Sequence, residues 1–119
     1  MEENQMTLIN DGTLTIEKGY TEQFLKLLID QNIIETLKDV EITEENETVD
    51  IDLSEVYGNL TDSLEKLCES CKKEGINVDG LIEYYGDYDG KYEIIGTVFH
   101  EYSSDEYALK EALETRDLI

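Results

Sequence analysis

The five residues Val49-Asp50-Ile51-Asp52-Leu53 alternate apolar and acidic side chains, and an extended strand is the conformation that sorts the two kinds onto opposite faces. Such a segment needs a core on one side and water or a cationic surface on the other. Val40-Glu41-Ile42 shows the same period, and Glu44-Glu45-Asn46-Glu47 separates the two runs, so residues 40–53 read as a hairpin with one apolar face. Asp39 and Glu41, like Asp50 and Asp52, then project opposite Val40, Ile42, Val49 and Ile51. Carboxylates would recur about every 6.6 Å along each strand, with a neighbouring row about 4.8 Å away.

Elsewhere the apolar period lengthens to that of a helix. Thr21 opens one carrying Phe24, Leu25 and Leu28, with Ile33, Ile34 and Leu37 beyond Asn32, where it ends or bends. Asn59 or Thr61 caps a second, whose Leu60, Leu64, Leu67, Cys68 and Cys71 share one face before Gly75 stops it. Ser103-Ser104-Asp105-Glu106 fits a capping box that opens a third. Two further hairpins are predicted. One pairs residues 6–9 with 13–16 around Asn10-Asp11-Gly12, and the other pairs 81–85 with 91–102 around residues 86–90. The expected fold is an α+β domain spanning residues 1–119, a mainly antiparallel sheet with about three helices in ββα-ββα-ββα order.

Leu, Ile, Val and Phe supply 33 of the 119 residues, enough for a core. Thirty Asp and Glu against nine Lys and Arg leave a net charge of −21. That charge repels nucleic acid and anionic lipid within a Debye length of about 8 Å, which argues against direct nucleic-acid or membrane binding. No apolar run approaches the ~18 residues of a membrane span, and the start of the chain lacks the pattern of a signal peptide. With only Cys68 and Cys71 as thiols, a reducing, cytoplasmic setting is expected.

The motifs of catalysis and cofactor binding are missing. His100, the only histidine, lies in a strand among Tyr92, Ile94, Val98 and Tyr102 and reads as a sheet-face residue. Cys68-Glu69-Ser70-Cys71 has the C-x-x-C spacing but falls inside a helix on its apolar stripe, unlike a redox pair at a helix start. Asp87-Tyr88-Asp89-Gly90 resembles part of a calcium loop, yet aligning its glycine puts Tyr85 and Gly96 at ligand positions. No phosphate-binding glycine loop occurs. A non-enzyme without cofactor or metal is expected.

What stands out is where the acids lie. From Asp39 to Glu65 there are ten acidic residues and no Lys or Arg, and from Glu74 to Glu106 nine acids meet only Lys91. A solvated face is the plain explanation, but like charges across strands are destabilising, and solubility needs a net charge of only about 2–8 in magnitude. A basic partner accounts for the excess. Six of the eight tyrosines, Tyr84, Tyr85, Tyr88, Tyr92, Tyr102 and Tyr107, fall in or beside the third hairpin among acids, and tyrosine gives contact area at low entropy cost while offering Arg a stacking face.

In size, charge and its carboxylate-plus-Tyr hairpins, of which Glu83 to Ile94 (EYYGDYDGKYEI) is the clearest, the chain resembles the small acidic phage-encoded anti-defence proteins, including anti-CRISPR proteins and other DNA mimics. The resemblance is one of composition and layout over the whole chain. It implies a non-enzymatic inhibitor in the host cytoplasm that occupies the nucleic-acid cleft of a CRISPR effector or other nuclease, where Arg and Lys would meet its carboxylates. The residues expected to bind are Glu83, Tyr85, Asp87, Tyr88, Asp89 and Glu93 in the third hairpin, with Asp39, Glu41, Glu44, Glu45, Glu47, Asp50 and Asp52 in the second. The alternatives are an immunity protein that neutralises a basic toxin nuclease without imitating DNA, and a housekeeping oligomerisation domain.

Overall fold

The computed structural model describes residues 8–116. Six strands form one antiparallel sheet: β1 (Leu8–Glu17), β2 (Val40–Glu44), β3 (Thr48–Tyr57), β4 (Val78–Gly86), β5 (Gly90–Ile95) and β6 (Val98–Ser103), in the spatial order β2-β3-β1-β4-β5-β6. Three helices, α1 (Thr21–Asp30), α2 (Thr61–Glu74) and α3 (Ser104–Arg116), complete it. The class is α+β, as the sequence predicts.

Apolar residues of α1 (Phe24, Leu25, Leu28) and α2 (Leu64, Leu67, Cys68, Cys71) share one core with the alternate residues Leu14, Ile16, Val49, Ile51, Val78, Ile82, Tyr92 and Ile94 of the sheet. Both helices end in the same device. Asn32 (φ 61°) and Gly75 (φ 75°) take the left-handed conformation, and the next amides, Ile33 N and Ile76 N, bond back to Leu28 O (2.9 Å) and Cys71 O (2.8 Å). The predicted helix therefore stops before Ile33 and Ile34, which stay buried as loop residues. At α3 the capping box forms: Ser103 Oγ accepts from Glu106 N at 3.2 Å, and Glu106 Oε1 accepts from Ser103 N at 2.8 Å.

The outer two units differ from the predicted hairpins, so the helices follow one, two and three strands. Met6 and Thr7 lie outside the described residues, but Asn10-Asp11-Gly12 does not turn; it runs within a single strand at the middle of the sheet. These residues serve a bulge on β3 instead, where Ser54 and Glu55 together oppose Asp11. Asp11 Oδ1 accepts the amide of Glu55 (φ 54°) at 2.7 Å, and Asn10 Nδ2 donates to Val56 O at 2.6 Å and Gly58 O at 2.8 Å. At Gly12 a Cβ would collide with the β4 backbone at Leu81 O.

The third predicted hairpin has a second turn, Gly96-Thr97, with φ of 55° and 67°, which divides residues 90–103 into β5 and β6. A β-branched residue is costly at positive φ, and here tertiary bonds hold it. Thr97 N donates to Val78 O and Thr97 Oγ1 accepts from Val78 N, both at 2.9 Å, while Asp79 Oδ1 accepts from Gly96 N at 2.7 Å.

A candidate binding face on the uncovered side of the sheet

With α1 and α2 on one side, the other side of β2, β3, β1 and β4 carries no helix among the described residues, because α3 packs over β5 and β6. Strand alternation puts seven carboxylates there: Asp11 and Glu17 from β1, Glu41 from β2, Asp50 and Asp52 from β3, Asp79 and Glu83 from β4. Those four strands contain no Lys or Arg. Glu41 stands directly opposite Asp52, a like-charge pair that destabilises the sheet.

Threonines of β1 hold part of this array in place. Thr13 Oγ1 donates to Asp52 Oδ1 at 2.5 Å and Thr15 Oγ1 to Asp50 Oδ1 at 2.7 Å, so both carboxylates are fixed with lone pairs to spare. Asp11 is held more firmly: Tyr85 Oη donates to its Oδ2 at 2.7 Å while the Glu55 amide takes Oδ1. The two bonds, Tyr85 first, hold the Asp11 carboxyl below its ordinary value, and the same contact pushes the Tyr85 hydroxyl up. At the far margin Lys91 pairs with Glu83.

The predicted site residues are thus divided. Glu41, Asp50, Asp52, Glu83 and Tyr85 lie on the uncovered face. Asp87, Tyr88 and Asp89 sit at the exposed β4–β5 turn, where the Tyr88 ring meets Tyr84 edge-on with centroids 5.8 Å apart. Glu44, Glu45 and Glu47 lie at the β2–β3 turn, with Lys18 Nζ 3.8 Å from Glu44 and the Lys18 amide donating to Glu47 O at 2.9 Å. Asp39 is not in the strand row: it lies in a 3-10 turn (Leu37–Asp39) and its Oδ2 accepts from Glu35 N (3.0 Å) and Thr36 N (3.1 Å).

Glu93 is also set apart. Its side chain is only 13% exposed beneath α3, 3.7 Å from Lys110 Nζ. Lys110 lies 5.5 Å from the Tyr107 ring centroid and Lys91 lies 5.2 Å from it. Asp11, Glu17 and Asp79 are the face residues that sequence reasoning missed. The alternations Leu14-Thr15-Ile16-Glu17 and Asp79-Leu81-Glu83-Tyr85 mark the last two, whereas Asp11 is hidden in what reads as a turn.

Among the described residues no three His, Cys, Asp or Glu side chains gather to hold a metal ion, and no helix is long and apolar enough to cross a membrane. Cys68 and Cys71 are free, buried thiols within the core, pushed up to about 11 and about 12 by burial. In comparison with known proteins, no family model, curated protein or solved structure matches the chain.

Proposed function

We propose that the protein is a non-enzymatic inhibitor that acts in the cytoplasm by covering the basic nucleic-acid-binding cleft of a nuclease or other DNA- or RNA-binding defence protein, in the manner of an anti-CRISPR DNA mimic. One observation carries this reading: seven carboxylates on four adjacent strands that hold no Lys or Arg, left uncovered by the chain's own helices. Asp50 and Asp52 stand about 6.6 Å apart along β3, half the density of one DNA strand at about 3.4 Å per phosphate, and Glu41 of β2 stands opposite Asp52 as a third charge of this cluster. Glu41, Asp50 and Asp52 meet partner Arg and Lys, Tyr85 lies farther along the face beside Asp11 and the Lys91-paired Glu83, and Asp87 and Asp89 extend the contact at the end of β4, while Tyr88 leans on Tyr84 toward the helix-bearing side.

The test is capture from the lysate of the native host on immobilised protein, a salt gradient, and excess duplex DNA as competitor. Release of a nuclease by both salt and DNA supports the proposal, and the combined Glu41→Gln, Asp50→Asn and Asp52→Asn variant should bind that nuclease about a hundredfold more weakly. A partner that stays bound under excess DNA would sink cleft mimicry and favour an immunity protein docked beside the active site.

A further inference from the structure

The sheet has two edges, and they are not alike. α2 and α3 both pack on β6, and its Glu101 accepts hydrogen bonds from Thr61 and Tyr84 at 2.8 Å each. β2 instead makes its main contacts with β3. The Glu45 amide donates to Thr48 O at 2.8 Å, so by antiparallel alternation Thr43 and Glu41 form the hydrogen-bonded pairs with β3. Val40, Ile42 and Glu44 therefore turn their N–H and C=O groups outward, to the free edge.

Natural edges are blunted with Lys, Pro, bulges or inward charges. Residues 40–44 contain neither Lys nor Pro, although Lys38 at the strand entry lines a depression with Glu41 and Asp52, and their register with β3 is unbroken. On the helix-bearing side of this edge Ile42 is 42% exposed. Leu37 and Ile29, exposed as well, line a separate groove of about 620 Å³ with Leu25, Glu22, Gln23 and Lys26. On the opposite side the same edge presents Glu41 in front of Asp52 and Asp50.

We infer that β2 receives an extended basic segment of the partner as a seventh strand, with alternate apolar side chains beside Ile42 and alternate Lys or Arg over Glu41 and Asp52. The inference rests on the partner being basic, as proposed above. Charge complementarity selects this occupant over a second copy of the chain, which would bring a second acidic face and a second net charge of −21 into the same sheet. Main-chain bonds supply affinity and the two-sided alternation supplies register.

The experiment uses the full chain and two synthetic nine-residue probes of equal composition, one alternating Val and Lys, the other with Val and Lys in separate blocks. Amide hydrogen exchange and NMR titration read the result. With the alternating peptide, the amides of Ile42 and Glu44 should slow by about tenfold or more. Ile42→Lys, at an exposed position that tolerates it, should weaken that peptide about tenfold and leave the block peptide unchanged. If both peptides shift the Asp50 and Asp52 resonances equally with no protection of β2, the docking edge is refuted while the basic-partner reading stands. Binding of neither refutes the docking edge and leaves the basic-partner reading to the salt- and DNA-competed capture, and slowing of the β2 amides by self-association of the chain alone refutes the chosen occupant.

Discussion

Replacing Asn10 with Ala tests the account of the central strand. If Asn10-Asp11-Gly12 were a surface turn, the side chain would be solvated and its loss would cost within about 0.5 kcal/mol. Instead Asn10 is 0% exposed, and its Nδ2 donates to two carbonyls, Val56 O at 2.6 Å and Gly58 O at 2.8 Å, beside the β3 bulge. Each such bond contributes about 0.5–1.5 kcal/mol net, and losing the donor also strands buried acceptors, so Asn10→Ala should destabilise by about 2–3 kcal/mol. Asn10→Asp should cost more, because it aims a buried carboxylate at the same two carbonyl oxygens. Urea unfolding monitored by tyrosine fluorescence reads the loss as a lower midpoint at constant slope. A loss under about 0.5 kcal/mol for Asn10→Ala would refute the bulge-anchoring role.

The other predictions concern charge and titration. Asp11 has a folded pKa below its ordinary value, so its contribution to stability is present above that value and is lost as pH falls through the folded pKa. Asp11→Asn should therefore flatten the acid limb of a urea-midpoint against pH curve. For Cys68 and Cys71 the folded values, about 11 and about 12, lie above the ordinary 9.0, so their contribution is intact below pH 9.0 and is lost as pH rises through the folded values. At about pH 8 neither thiol should react with a disulfide reagent until urea unfolds the chain. Asp52→Asn keeps an acceptor for Thr13 and removes the charge facing Glu41, so it should stabilise the isolated protein by about 0.2–1 kcal/mol, measured by thermal and urea unfolding, while weakening partner binding.

Elements specified by nearby residues were legible in the sequence. The capping box at Ser103–Glu106, the glycine stop at Gly75 and the alternation through Val49–Leu53 all formed as read. Those that depend on a distant strand were not. Turn-forming residues at 10–12 work just as well at a bulge, and only the bulged partner, 44 residues away, decides between the two uses. Thr97 is a poor turn residue by propensity and is fixed by Val78, 19 residues earlier. The site divides in the same way. Alternation placed Glu41, Asp50 and Asp52 on one face, but a carboxylate's sequence position does not say that Glu83 joins them from another hairpin, that Asp39 is consumed as a cap or that a later helix lies across Glu93.

Why α3 covers one part of the outer face and not the rest follows from charge. Under α3 the cations are in place: Lys91 of β5 reaches across to Glu83 at the margin of β4, Lys110 meets Glu93, and Tyr107 packs between the two ammonium groups as the buried anchor of the helix. Across β2, β3, β1 and β4 no strand supplies a cation, and a helix as acidic as α3, with Asp105, Glu106, Glu111 and Glu114, would be repelled there. Desolvating unpaired carboxylates costs several kcal/mol each, so whatever covers that face must bring its own positive charge. The chain has nine Lys and Arg in all, too few to neutralise thirty acids from within. The uncovered face is therefore complementary in charge to an Arg- and Lys-rich surface, and the proposed function takes that surface to be a nucleic-acid-binding cleft.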